Sequence, residues 1–91
     1  MIKYIIHVKK WRDKTNGNTY HSAIILNTQN HLMIAAPFQY GYGDQFLQSA
    51  SDVMIKEKWI DKPLKALDYQ NIHIIVDNDC KKRDVEKWGN K

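Results

Sequence analysis

The order of patterns along this chain predicts an α+β fold. The expected form is a small antiparallel sheet, β-β-β-α-β, with one helix packed on one face and a possible short C-terminal helix. Three observations carry the prediction. Two alternating, β-branched segments flank Asn16-Gly17. A stripe of apolar residues at helical spacing follows Asp44. A last alternating run, Asn71–Asp77, comes after the helix. At 91 residues the chain has room for one domain and one modest core, so residues 1–91 are taken together.

The first strand covers residues 2–12. Ile2, Tyr4, Ile6 and Val8 share one face; Lys3, Ile5, His7, Lys9 and Trp11 share the other. Asn-Gly is a strong hairpin signal, because a two-residue type I′ turn needs positive φ at both central positions. The return strand is residues 18–27. With Asn16-Gly17 as the whole turn, Thr15 faces Asn18, Asp13 faces Tyr20, Arg12 faces His21 and Trp11 faces Ser22. Trp11, Asp13, Tyr20 and Ser22 then line one face, and Lys10, Arg12, Lys14, Thr19 and His21 the other.

Thr28-Gln29-Asn30 reads as a second turn, and His31–Ala36 as a third strand ended by Pro37, which lacks an amide donor. The segment PFQYGYG, residues 37–43, then packs three aromatics and two glycines into a connector. Asp44 is the expected N-cap of a helix from Gln45 to about Trp59, with Phe46, Ala50, Val53 and Met54 on its sheet-facing stripe. Residues 71–77 form the final strand. The tail beyond Cys80 either makes a short amphipathic turn with Val85 and Trp88 on one side or stays mobile. The face opposite the helix, carrying Ile5, Ile24 and Ile75, is left open, which makes a homodimer possible.

Composition removes several classes. No apolar run is long enough to span a membrane. The start, MIKYIIHVKK, lacks the pattern of a secretory signal, and the lone Cys80 has no disulfide partner, so a reducing cytoplasm is expected. His7, His21, His31 and His73 form no HxH, HxxxH or HExxH pair, and neither a metal nor another cofactor is expected. Lys81 and Lys82 would favour a Cys80 thiolate, but no CxxC partner and no G-x-S-x-G elbow accompany it. Asp77, Asp79 and Asp84 are interleaved with Lys81, Lys82 and Arg83, the pattern of a solvated turn more than of a divalent-cation site. Gly41-Tyr42-Gly43-Asp44 precedes a helix, where free amides attract anions; the competing reading is a tight turn that needs glycine.

Charge and aromatics point further. Net charge is +4. Residues 1–14 carry Lys3, Lys9, Lys10, Arg12 and Lys14 against Asp13 alone, whereas residues 15–55 hold no Lys or Arg. Cations beside exposed aromatic rings suit a partner that offers phosphates and flat bases together. The candidate anion or nucleic-acid set is therefore Lys9, Lys10, Arg12 and Lys14 for phosphate, with Trp11, Tyr20, His21, Tyr40 and Tyr42 shaping the surface. Phe38 reads either as part of that set or as a plug beneath the connector.

The stretches KKWRDKTNGNTYHS (9–22) and PFQYGYGDQ (37–45) resemble small uncharacterised proteins encoded by bacteriophages. The resemblance carries no catalytic residues. It implies an accessory role in the host cytoplasm, including interference with a host defence system. Many such inhibitors mimic DNA and are acidic, and this chain is basic. Two binding functions follow as expectations: engagement of nucleic acid or a nucleotide, or inhibition of a host protein. A small hydrolase using His21, His73 or the Asp cluster is the third and weakest.

Overall fold

A computed structural model describes residues 2–90 and, for residues 66–68, the backbone alone. The elements are β1 (Tyr4–Asp13), β2 (Asn18–Asn27), β3 (Met33–Tyr40), α1 (Gln45–Lys56), β4 (Ile72–Asp77) and α2 (Lys82–Trp88), with a 3₁₀ turn, Ala66–Asn71, before β4. They form a four-stranded sheet of order β3-β2-β1-β4. The class is α+β, as the patterns predict. The sheet, however, is mixed: β1–β2 and β2–β3 pair antiparallel, while β4 lies parallel to β1. Helix α1 causes this. It carries the chain from the end of β3 back across the sheet, so β4 starts again at the end where β1 starts, and parallel pairing needs such a crossover.

The first turn is longer than Asn16-Gly17. Asp13 pairs with Asn18, and Trp11 with Tyr20, leaving residues 14–17 as the loop. Asp13 explains the difference. Its carboxylate accepts from the amides of Thr15 and Asn16 and from the Asn16 side chain, and its carbonyl accepts from the Gly17 amide at 2.7 Å. Only Gly17 has positive φ (72°), whereas a type I′ turn would require it of Asn16 as well. The shift amounts to two residues, so the sorting of side chains between faces survives it.

β3 runs through Pro37 to Tyr40 instead of stopping at Ala36. It is an edge strand, and opposite the His21–Ala23 segment its register is irregular; both features accommodate a residue without an amide donor. Its start moves from His31 to Met33, because His31 adopts positive φ and closes the preceding turn.

The core lies between α1 and one sheet face: Ile6, Val8, Ala23, Ile25, Ala36 and Ile72 meet Phe46, Ala50 and Met54. Full burial of a side chain such as Ile25 contributes about 1.5–3 kcal/mol. Helix α1 stops at Lys56, short of Trp59. The amide of Lys58 bonds the Ile55 carbonyl and that of Trp59 bonds the Met54 carbonyl, both at 2.9 Å, while Lys58 takes φ 63°. This is a Schellman end, usually occupied by glycine at the left-handed position. It turns Trp59 back to stack on Tyr4 at 6.0 Å.

The opposite face is not left open as expected. Helix α2 packs against β1, β2 and β3. Val85 is fully buried, its carbonyl accepts from Ser22 Oγ at 2.6 Å, and Trp88 Nε1 donates to the His7 carbonyl at 2.8 Å. Residues His21 to Ile25 of β2 are consequently buried on both faces, Ile24 among them, while Ile5 and Ile75 are half-buried.

Replacing Lys58 by glycine should raise stability by about 0.5–1 kcal/mol, because a side chain is removed from a left-handed position. A urea midpoint that stays level or falls, at unchanged slope, would contradict the assigned helix end.

Candidate nucleic-acid interface

β-strand parity decides which residues meet. Odd residues of β1 (His7, Lys9, Trp11) share the α2 face with Tyr20 and Ser22, whereas Lys10 and Arg12 pair with His21 and Thr19 on the α1 face. The α2 face carries a ridge of rings. Trp11 stacks on Tyr20 at 5.4 Å, Tyr20 stacks on Phe38 at 5.2 Å and 7°, and Tyr20 meets Tyr40 edge-on at 5.7 Å. Tyr42 extends the ridge past the sheet edge, 6.4 Å from Tyr40. The inner rings Trp11, Tyr20 and Phe38 are partly buried and cover one another, which stiffens the ridge; Tyr40 and Tyr42 remain 56% and 63% exposed.

A basic groove adjoins the Trp11 end. Beyond Lys9, β1 has no strand beside it on its β4 side. Instead the chain after β4 turns at Asp79 (φ 60°), the Cys80 amide bonds the Lys10 carbonyl at 2.9 Å, and α2 begins. The resulting shallow groove of ≈ 480 Å³ is lined by Trp11, Arg12, Asp13, Lys14, Asp79, Lys81 and Lys82, among others. Lys14, Lys81 and Lys82 bring three cations to it against the carboxylates of Asp13 and Asp79, while Arg12, whose strand position belongs to the α1 face, lines it at the strand edge. Lys82 Nζ lies 5.6 Å from the Trp11 ring, a cation–π contact worth about 0.5–1 kcal/mol at an exposed site. The Asp13 carboxyl sits below its ordinary range, mainly through the bond from the Asn16 side chain, and stays ionised while it holds the turn.

The nine residues singled out from sequence thus separate. Trp11, Tyr20, Tyr40 and Tyr42 form the ridge, and Arg12 and Lys14 line the groove. Lys9 is drawn to Asp77 (3.4 Å) and lies over Trp88, and Lys10 donates to the Gly43 carbonyl at 2.7 Å from above Phe46. Both lysines serve the fold on opposite faces. His21 departs furthest from the expected role: it is 1% exposed and both ring nitrogens are engaged. The Gly41 carbonyl can only accept, so Nδ1 donates to it at 3.0 Å, and Nε2 accepts from the Ser49 hydroxyl at 2.8 Å. Burial pushes the His21 pKa below its ordinary value, against the pull of the Gly41 carbonyl.

That same histidine explains the connector. A Cβ on Gly41 would fall 2.7 Å from His21 Cε1. The Gly41 amide is used by the Thr19 carbonyl, and the Tyr42 amide by Gln45 Oε1. Gly41-Tyr42-Gly43 is therefore a packed turn whose amides are largely spent, and the Asp44 side chain makes no cap bond.

Sequence reasoning missed Lys81 and Lys82 as groove residues, reading them as neighbours of Cys80 and as part of a charged turn, and left the place of Phe38 open. The one available signal was a run of cations before an amphipathic segment holding Val85 and Trp88. Another groove, of ≈ 440 Å³, lies at the far end of the sheet between Lys3, Tyr4, Trp59, Lys62 and Leu64. Its two rings stack on each other, and Tyr4 also donates to the Trp59 carbonyl at 3.3 Å. The ridge differs in leaving two of its rings, Tyr40 and Tyr42, largely exposed. Among the described residues no helix is long and apolar enough to cross a membrane, and no three metal-ligating side chains converge. Comparison of the chain with protein-family models, curated proteins and solved structures finds no match.

Because folded His21 resists protonation and unfolded His21 does not, the unfolded chain binds more protons below about pH 6.5. Stability should fall as pH drops from 7.5 to 5.5. The His21→Gln variant, less stable throughout, should show a shallower fall. Equal slopes in urea titrations of the two proteins would refute the buried neutral histidine.

Proposed function

We propose that this chain is a non-enzymatic binding protein that holds a phosphate-bearing partner, nucleic acid or a nucleotide, on the aromatic ridge and the basic groove beside it. The observation that carries the reading is the unbroken series of rings from Trp11 to Tyr42 with the Lys82 ammonium at its inner end. Lys14, Lys81 and Lys82 neutralise phosphate from the groove; Tyr40 and Tyr42 present ring faces and edges to bases. The resemblance of residues 9–22 and 37–45 to phage proteins supports an accessory role of this kind in a host cytoplasm.

A second reading has its own observation. Leu32 and Met33, 57% and 65% exposed, stand at the start of the edge strand β3 and would suit a protein partner, such as a host defence enzyme that the chain inhibits. Recovery of one stoichiometric host protein that survives nuclease treatment would favour it over nucleic acid.

Filter binding of labelled RNA, DNA and mononucleotides at two salt concentrations tests the first reading. Polymer affinity should fall steeply with salt, and mononucleotide affinity only modestly. For a single strand, each lost phosphate contact should lower the log–log salt slope by roughly 0.7. Lys14→Ala and Lys82→Ala should each flatten the slope by about that amount. Retention of no nucleic acid and no nucleotide would overturn the reading.

A further inference from the structure

We infer that the ligand of this surface is a single-stranded nucleic acid. Unpaired bases rest on Tyr40 and Tyr42, and the backbone runs on to the cations of the groove; the inference rests on the binding function proposed above. Three features of the molecule select the single strand over a duplex and over a mononucleotide.

The first is the accessibility of the rings. A duplex buries its base faces in its own stack and offers only edges and backbone. Tyr40 and Tyr42 are the two largely exposed members of the ridge, one on an edge strand and one in the connector behind it. Rings so placed gain little from groove edges and much from an unstacked base.

The second is the lack of a free reading element. A duplex major groove admits an α-helix or a two-stranded β-ribbon. Helix α1 packs its apolar stripe on the sheet and turns outward Gln45, Gln48, Asp52 and a single cation, Lys56, a poor match to a phosphate-lined groove, and α2, seven residues long, is held by Ser22 and His7. The β1–β2 ribbon is flanked on one side by Tyr40, paired with Tyr20, and on the other by Cys80, bonded to Lys10. Only its last turn projects.

The third is the separation of charge from the exposed rings. Lys82 stands at Trp11, on β1; Tyr42 lies beyond β3, with Tyr20 and Tyr40 between them in ring-to-ring steps of 5.4, 5.7 and 6.4 Å. A single nucleotide on Tyr42 leaves the groove cations unused. An oligomer of a few nucleotides engages both ends, and its affinity grows with length until both are filled.

Fluorescence anisotropy at one fixed salt concentration tests this, with a fluorescein-labelled twelve-nucleotide DNA strand of mixed sequence, the same strand annealed to its complement, and a labelled dinucleotide. The single strand should bind at least tenfold more tightly than either. Tyr40→Ala/Tyr42→Ala should weaken the single strand by roughly fivefold or more per ring and leave duplex affinity unchanged. Tyr40→Phe/Tyr42→Phe should bind within about twofold of the parent, because the ring and not the hydroxyl stacks. A cooperative melt close to the parent's shows that each variant is folded. Duplex binding as tight as single-strand binding, dinucleotide binding as tight as that of the longer strand, an indifferent alanine pair or a failed phenylalanine pair would each overturn the inference while leaving nucleic-acid binding in place. Absence of binding to all three probes would instead remove the function on which it rests.

Discussion

The pairing of Trp11 with Tyr20 governs the rest of the molecule. It follows from Asp13, which gathers the amides of the turn and so sets where β2 begins to run back along β1. Once that register holds, parity sends Ile6, Val8 and Lys10 to the α1 face, and His7, Lys9 and Trp11 to the α2 face. Tyr20 then falls where Phe38 and Tyr40 can reach it across the next strand. A slip by one residue would carry Trp11 and Tyr20 to opposite faces, and it would also put Ser22 in the apolar core and Ala23 beneath α2. The core and the ridge are therefore specified by one alignment.

Much of this was legible in local patterns, and the failures have local or topological causes. Strand β2 begins and ends where its residues predict, because its sequence is β-branched and aromatic throughout and polar residues bound it. The faces of the first hairpin were also legible, since alternation survives a two-residue error in the turn. The turn departs from the Asn-Gly pattern because the Asp13 carboxylate, three residues before Asn16, gathers the turn's amides. Pro37 read as a stop because its tolerance on an edge strand depends on strand order, which no window of sequence reveals. The parallel placement of β4 is illegible for the same reason. The tail offered two readings, and Val85 and Trp88 are in fact its sheet-facing side.

Within the candidate surface, residue type was more legible than residue role. Tyr40 and Tyr42 stand out as aromatics beside glycines, and the structure leaves them largely exposed. His21 and Lys10 carry the same chemical promise and are consumed by the fold, one by Gly41 and Ser49, the other by Gly43 and Phe46. Lys82 joins Trp11 only because α2 returns across the sheet. The two helices thus divide the work. Helix α1 closes the core beneath one face, while α2 covers part of the other and brings to its edge the cations that the first hairpin alone does not supply. Asp77 assists by holding His7 and Lys9 against Trp88, its carboxyl kept below the ordinary range chiefly by the hydrogen bond with His7.

The most direct test of the ridge and groove as one surface is a ¹⁵N NMR titration of the intact chain with a short single-stranded oligonucleotide. The account requires the largest shifts at the Trp11 indole N–H, the amides of residues 40–43 and those of residues 80–83, all saturating together. Shifts concentrated around Tyr4 and Trp59 at the far end of the sheet, or confined to one of the three groups, would contradict it.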